Sequence, residues 1–116
     1  MNIEQAREYC LSKPGAVECF PFDEYNLVMK VAGKMFALIP LDSLPQIALK
    51  CNSERALELR DRYSGIEGAY HFNKKYWNTV RFDSDVPDGL IRELIDHSWE
   101  EVTAKLPRNK RQEISG

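Results

Sequence analysis

The pattern between residues 25 and 39 constrains the fold more than any other stretch of the chain. Residues 25–31 place apolar side chains at every odd position, which is the period of a half-buried β-strand. Ala32, Gly33 and Lys34 follow, and residues 35–39 are again apolar and β-forming. The pattern therefore predicts an antiparallel hairpin that turns at Gly33.

Further strands and two helices are predicted around this hairpin. Asn2 is a good N-cap for a helix over residues 3–12, and Pro21 assigns residues 17–22 to a sheet edge. Residues 46–51 and 78–82 alternate like strands, with a helix over residues 53–63 between them. Ser53 is the predicted cap of that helix.

A last long helix is predicted to begin at Pro87, with Asp85 as its cap. Apolar and small side chains recur along it at helical spacing. They are Ile91, Leu94, Ile95, Ser98, Val102 and Leu106. The resulting order, α-β-β-β-β-α-β-α, predicts an α+β fold in which helices pack on one face of an antiparallel sheet.

The chain is expected to form a single domain over residues 1–116, with residues 107–116 as a basic, flexible tail. Its 116 residues suit one core, and 43% hydrophobic with 29% charged residues is typical of a globular domain. No apolar run approaches the roughly 20 residues that span a bilayer, and the acidic start is unlike a signal peptide. We therefore expect a cytoplasmic protein without membrane contact.

The sequence lacks the patterns of enzymes and metal sites. The number of cysteines is odd, and none of them forms a C-x-x-C pair: they are Cys10, Cys19 and Cys51. We therefore expect neither a disulfide framework nor a zinc site. His71 and His97 lie on different predicted elements, and neither has a histidine or cysteine three or four positions away. Nucleophile elbows and phosphate-binding glycine loops are also missing from the sequence. We expect a non-enzymatic protein with no cofactor and no metal.

One candidate binding surface follows from the alternation of the strands. Lys30, Lys50, Arg81 and Trp77 all point away from the apolar sides of their strands, onto the face that no helix covers. Cations beside a flat ring are typical of a surface that tracks a nucleic-acid strand. The same pattern also fits a solvated face whose lysine stems pack on the sheet. Because the net charge is −2 and the pI about 5.7, any nucleic-acid contact has to come from such a local patch.

The stretch YHFNKKYWNTVRF, residues 70–82, combines cations, rings and amides without an acid. Lys74 and Lys75 are predicted to face an anion together with Arg81. His71, Asn73 and Asn78 are instead assigned a structural role, because amide and imidazole groups can hydrogen-bond backbone in a tight connection.

Four segments together resemble the MmcQ/YjbR-like family: GKMFALIPL, ALKC, YHFNKKYWNTV and ELIDHSWEEVTAKLP. The most specific piece is the motif H-x-N-K-x-x-W-N-T-V, residues 71–80. The resemblance implies a compact α+β fold similar to CyaY-like (frataxin-like) and type III secretion chaperone-like domains. It also implies a DNA-binding module, through a double-wing analogy at the level of the fold. The alternative is a protein-interaction or chaperone-like domain that uses the same open sheet face. The frataxin-like comparison would suggest iron, but the acids here form no convincing ridge.

Overall fold

The structure is a computed structural model that describes residues 1–69 and 72–115. Within these ranges the helices are α1 (Ile3–Leu11), α2 (Ser53–Arg62), α3 (Asp88–Thr103) and α4 (Arg108–Ser115). The strands are β1 (Ala16–Cys19), β2 (Asn26–Val31), β3 (Lys34–Pro40), β4 (Gln46–Lys50), β5 (Ile66–Gly68) and β6 (Trp77–Arg81).

The six strands form one sheet in the order β1-β2-β3-β4-β6-β5, and each neighbouring pair is antiparallel. The predicted hairpin joins β2 to β3. Val31 pairs with Lys34, and between them Ala32 and Gly33 have φ angles of 50° and 78°. Two consecutive left-handed residues suit the right-handed twist of a hairpin. The α+β class and the turn at Gly33 are therefore confirmed.

The core lies on the helical side of the sheet. Leu27 pairs with Ile39 and Met29 with Ala37, so these four side chains face the same way, and all are buried. Helix α3 lies against β2, β3 and β4 and inserts its predicted stripe, which is confirmed. The buried members of that stripe are Ile91, Leu94, Ile95, Ser98, Val102 and, just beyond the helix, Leu106.

Asp96 of α3 binds α1 and the turn that follows it. Asp96 accepts hydrogen bonds from the Tyr9 hydroxyl at 2.8 Å and from the Lys13 ammonium at 2.9 Å. The side chain of Asn2 accepts from the amide of Gln5 and so caps α1 as predicted.

Two predicted helix caps are wrong. The cap of α2 is Asn52 rather than Ser53, because the Asn52 side chain accepts from the amides of Glu54 and Arg55. Helix α3 follows Pro87, which makes no side-chain capping bond.

Asp85 does not cap α3 because its carboxylate is bound elsewhere. It accepts from the amides of Ser64 at 2.9 Å and Gly65 at 2.8 Å. These hydrogen bonds lower its pKa. The role of Asp85 is therefore to hold the start of β5 beside the end of β6.

The structure contains two elements that the predicted order lacks. β5 has only three residues, too few for a recognisable alternation, and is held by pairing with β6. Helix α4 occupies the segment predicted to be a flexible tail. Its Ile114 packs against the core and lies beside Gly15, which has a φ of +73°.

No helix in the described ranges combines the length and the apolar composition that a bilayer span requires. The three cysteines are free. Cys10 and Cys51 are buried among apolar neighbours, while Cys19 is half-buried at the edge of the sheet.

Candidate functional site

The open face is the side of the sheet opposite the core. Lys50 and Trp77 are direct cross-strand partners there, as are Gln46 and Arg81. Lys30 lies on the same face at the other side of the sheet, where its backbone pairs with β1 and β3. The structure thus brings Lys30, Lys50, Trp77 and Arg81 to one face, as the alternation predicts.

Two more lysines act on Lys50 at the end of β4: Lys34 at the hairpin end of β3 and Lys105 just after α3. Burial lowers the pKa of Lys50, Lys105 lowers it further, and Lys34 adds a smaller effect in the same direction. Glu101 acts against them. We call Lys34, Lys50 and Lys105 the lysine cluster. Their mutual repulsion favours the approach of an anion.

An aromatic pair stands next to the lysine cluster. The rings of Phe72 and Trp77 stack with centroids 4.9 Å apart and an interplanar angle of 22°. Both side chains are half-buried. Because Phe72 covers one face of the indole, a ligand ring would have to stack on the opposite face of Trp77.

Arg81 is paired within the chain. Its guanidinium lies 3.1 Å from a carboxylate oxygen of Asp83 and donates several hydrogen bonds to that group. Its charge is therefore largely compensated, and Arg81 contributes less to an anion site than its place on the open face predicts.

The middle of the open face contains a pocket of about 420 Å³. We call it the open-face pocket. Its walls include two carboxylates, Asp42 and Glu67, and the other lining side chains among the described residues are apolar or uncharged. They are Asn26, Leu38, Pro40, Ser43, Gln46, Ala48, Ala69, Phe72 and Thr79.

Lys74 and Lys75 are not part of the open face. They line a separate groove beside α2, together with Leu57 and Arg60. The Lys75 ammonium lies 5.5 Å from the centroid of the Tyr76 ring. The predicted anion-facing residues are therefore divided between two surfaces.

The motif that carries the family resemblance builds the connection between β5 and β6. Asn73 accepts a hydrogen bond from the amide of Lys75 at 3.0 Å, which closes a tight turn. Asn78 is 2% exposed and lies in β6 rather than in the loop. Its amide group donates to the carbonyl of Ala56 at 3.3 Å and accepts from Arg60 at 2.7 Å. His71 lies outside the described residues.

Arg60 fastens this connection to α2. Besides Asn78, its guanidinium donates a hydrogen bond to the carbonyl oxygen of Lys74. These contacts agree with the structural role predicted for the asparagines. Asn73 stabilises the loop, whereas Asn78 connects helix α2 to the sheet.

His97 of α3 is half-buried and hydrogen-bonded. Its Nε2 accepts from the amide of Asn52 at 3.1 Å. Burial lowers its pKa, so the neutral form dominates at pH 7. Its lone pair is therefore occupied by the cap of α2.

Several members of the site do not follow from the sequence pattern. Lys34 and Lys105 lie beyond the predicted strand faces, at the hairpin turn and after α3, so alternation gives no sign of them. Phe72 and Asp42 lie in loops, and Glu67 lies on β5, the short strand that the sequence does not predict. Only the closeness of Lys34 to the predicted turn could have suggested that it lies near an end of the sheet.

The chain matches the sequence model of one protein family, named YjbR, over residues 11–101. It is 34% identical to the uncharacterised protein YjbR of Escherichia coli strain K12, across 97% of this chain and 96% of that one. It is 32% identical to the uncharacterised protein YbdF of Escherichia coli O157:H7, across 96% of this chain and 92% of that one.

The fold is also similar to a crystal structure of a Deinococcus radiodurans protein with a DUF419 domain. The TM-score is 0.90 at 37% identity, and the match covers 98% of this chain and 88% of the other. Family match, relatives and fold agree over nearly the whole length. The chain therefore belongs to the YjbR family.

Proposed function

We propose that the chain is a non-enzymatic DNA-binding module that holds a phosphate backbone at the lysine cluster and stacks a base on Trp77. The observation that supports this most is the direct cross-strand pairing of Lys50 with Trp77. A phosphate near Lys50 would place the attached nucleoside within reach of the indole. Proteins that bind single-stranded nucleic acid commonly combine cations along the phosphate backbone with an aromatic ring on which a base stacks.

The electrostatics of the lysine cluster support the same proposal. A bound phosphate would offset the repulsion among the three ammonium groups and raise the pKa of Lys50 back toward its ordinary value. Glu101 partly neutralises the site. With few phosphate contacts and a net charge of −2, binding should be weak, and its salt dependence should be modest because it scales with the number of contacts.

The proposal of a non-enzymatic role has its own support. Burial raises the pKa of Cys10 to about 12 and of Cys51 to about 11, so both thiols stay protonated at neutral pH. The accepting nitrogen of His97 is taken by the Asn52 amide. Three free cysteines also suit the reducing cytoplasm, where we place the protein.

The experiment is a fluorescence-anisotropy titration with a labelled 12-nucleotide oligothymidine at low salt. Lys50→Gln and Lys105→Gln should each weaken binding about threefold to tenfold, which corresponds to about 1 kcal/mol. Lys110→Gln is the matched control, because this exposed lysine lies on α4. Equal affinity of all three variants and the parent would contradict the proposal.

The second candidate is a protein-interaction domain, and one observation favours it. Large apolar side chains stand exposed in the two loops at the pocket end of the sheet: Phe20 at 50%, Phe22 at 66% and Leu44 at 53%. Exposed apolar clusters mark protein contacts more often than nucleic-acid contacts. Such a contact would respond little to salt, which separates it from phosphate binding.

A further inference from the structure

The open-face pocket differs in charge from the lysine cluster at the end of β4. Asp42 reaches it from the β3–β4 loop and Glu67 from β5. Neither carboxylate has an ion pair or a hydrogen bond with another residue of ranges 1–69 and 72–115. These charges repel phosphate, so the pocket is unsuited to the ligand proposed for the lysine cluster.

Part of the pocket lining is apolar. Leu38 and Ala48 are cross-strand partners, and Pro40, Ala69 and Phe72 complete the apolar lining. A volume of about 420 Å³ is within the usual range for ligand sites. Apolar lining beside two carboxylates that have no partner among the described residues suits a ligand with an apolar body and a positive charge.

We propose that the open-face pocket docks a short segment of a partner protein in which a lysine or arginine is flanked by apolar side chains. The apolar groups would cover Leu38 and Ala48, and the cation would meet Asp42 or Glu67. The apolar residues next to Asp42 and Ser43 in the same loop, Leu41 and Leu44, are 42% and 53% exposed and would extend the contact.

The test uses the whole chain and a fluorescein-labelled peptide, Gly-Leu-Arg-Phe-Arg-Leu-Gly. The controls are Gly-Leu-Glu-Phe-Glu-Leu-Gly and Gly-Ser-Arg-Ser-Arg-Ser-Gly, which lack the charge or the apolar groups. We expect anisotropy to show binding of the first peptide, with at least tenfold weaker binding of both controls. Binding of the serine peptide as tight as the first would show simple charge attraction and overturn the proposal, as would no binding of the first.

Variants then locate the contact. Asp42→Asn with Glu67→Gln should weaken peptide binding at least fivefold, while Asp61→Asn, an exposed carboxylate on α2, should leave it unchanged. Lys50→Gln should weaken oligothymidine and not the peptide, so the failure of either proposal is visible separately. A parent protein that is dimeric by light scattering, and monomeric as the double variant, would show that a second copy occupies the pocket and overturn the proposal.

Discussion

Ser98 of α3 donates a hydrogen bond of 2.5 Å to the backbone carbonyl of Phe36 in β3. The same hydroxyl accepts from the amide of Lys50 in β4 at 2.9 Å. Pairing between β3 and β4 ends one residue earlier, at Ala37 and Leu49. One helix hydroxyl thus replaces the missing contact between two strands and fixes the end of β4 that carries Lys50.

Ser98→Ala should lower the free energy of unfolding by about 1–3 kcal/mol, because it leaves a buried carbonyl and an amide without partners. Urea denaturation measures the change. Ser43→Ala, at an exposed serine in the β3–β4 loop, should stay within about 0.5 kcal/mol of the parent. A loss for Ser98→Ala no larger than for the control would show that the bridge contributes little.

The two asparagines of the family motif should differ in their effect on stability. Asn78→Ala removes a buried amide that joins α2 to β6 and should cost about 1–3 kcal/mol. Asn73→Ala removes an exposed turn contact and should cost at most about 0.5 kcal/mol. Chemical denaturation of both variants gives the ranking, and the reverse order would contradict the contacts described for Arg60.

Stability should depend on the protonation of His97. Burial and Arg55 lower its pKa, while Glu101 and Glu100 oppose them. Because the folded pKa lies below the unfolded value of about 6.5, the unfolded chain binds the proton first. The stabilisation from His97 is complete above that value and is lost as the pH falls through the folded pKa.

His97→Gln should therefore weaken the loss of stability between pH 7 and pH 5, measured by urea denaturation at each pH. Glu101→Gln should steepen the loss, since it removes a carboxylate that favours the protonated form. Identical pH profiles for the parent and His97→Gln would show that the histidine is not linked to folding.

Helix α4 should contribute to stability through one side chain. Ile114 is half-buried against the core and close to Gly15. Ile114→Ala should lower the free energy of unfolding by about 1 kcal/mol, less than for a fully buried isoleucine. Gln112→Ala, on the exposed side of α4, is the control. If truncation after Pro107 leaves the melting temperature unchanged, the segment acts as the flexible tail that its composition predicts.

The parts of the site that depend on local rules could be predicted from the sequence. Side chains alternate along a strand, so Lys50 and Trp77 were correctly assigned to the open face, and the stripe of α3 follows from helical spacing. Local rules do not predict the role of a side chain whose partner is distant in the sequence. Asp85 has the position and chemistry of a helix cap, yet its carboxylate binds the loop before β5.

The charge of the open face was the least predictable property. Arg81 shares the face with Lys50 but is compensated by Asp83, two residues later in a loop. Lys74 and Lys75 turn toward α2 because the loop before β6 is held there. The lysine cluster forms because the hairpin end, the end of β4 and the end of α3 lie close together in the fold. Local sequence patterns do not predict such contacts between distant segments.

The central claim is that phosphate binds at the lysine cluster, and the salt dependence of oligothymidine binding tests it most directly. For single strands the logarithm of the association constant falls by about 0.7 per phosphate contact for each tenfold rise in salt. The three lysines predict a fall of about 2 for the parent, and Lys50→Gln should reduce it by about 0.7. A parent slope near zero, or a slope that Lys50→Gln leaves unchanged, would contradict the account.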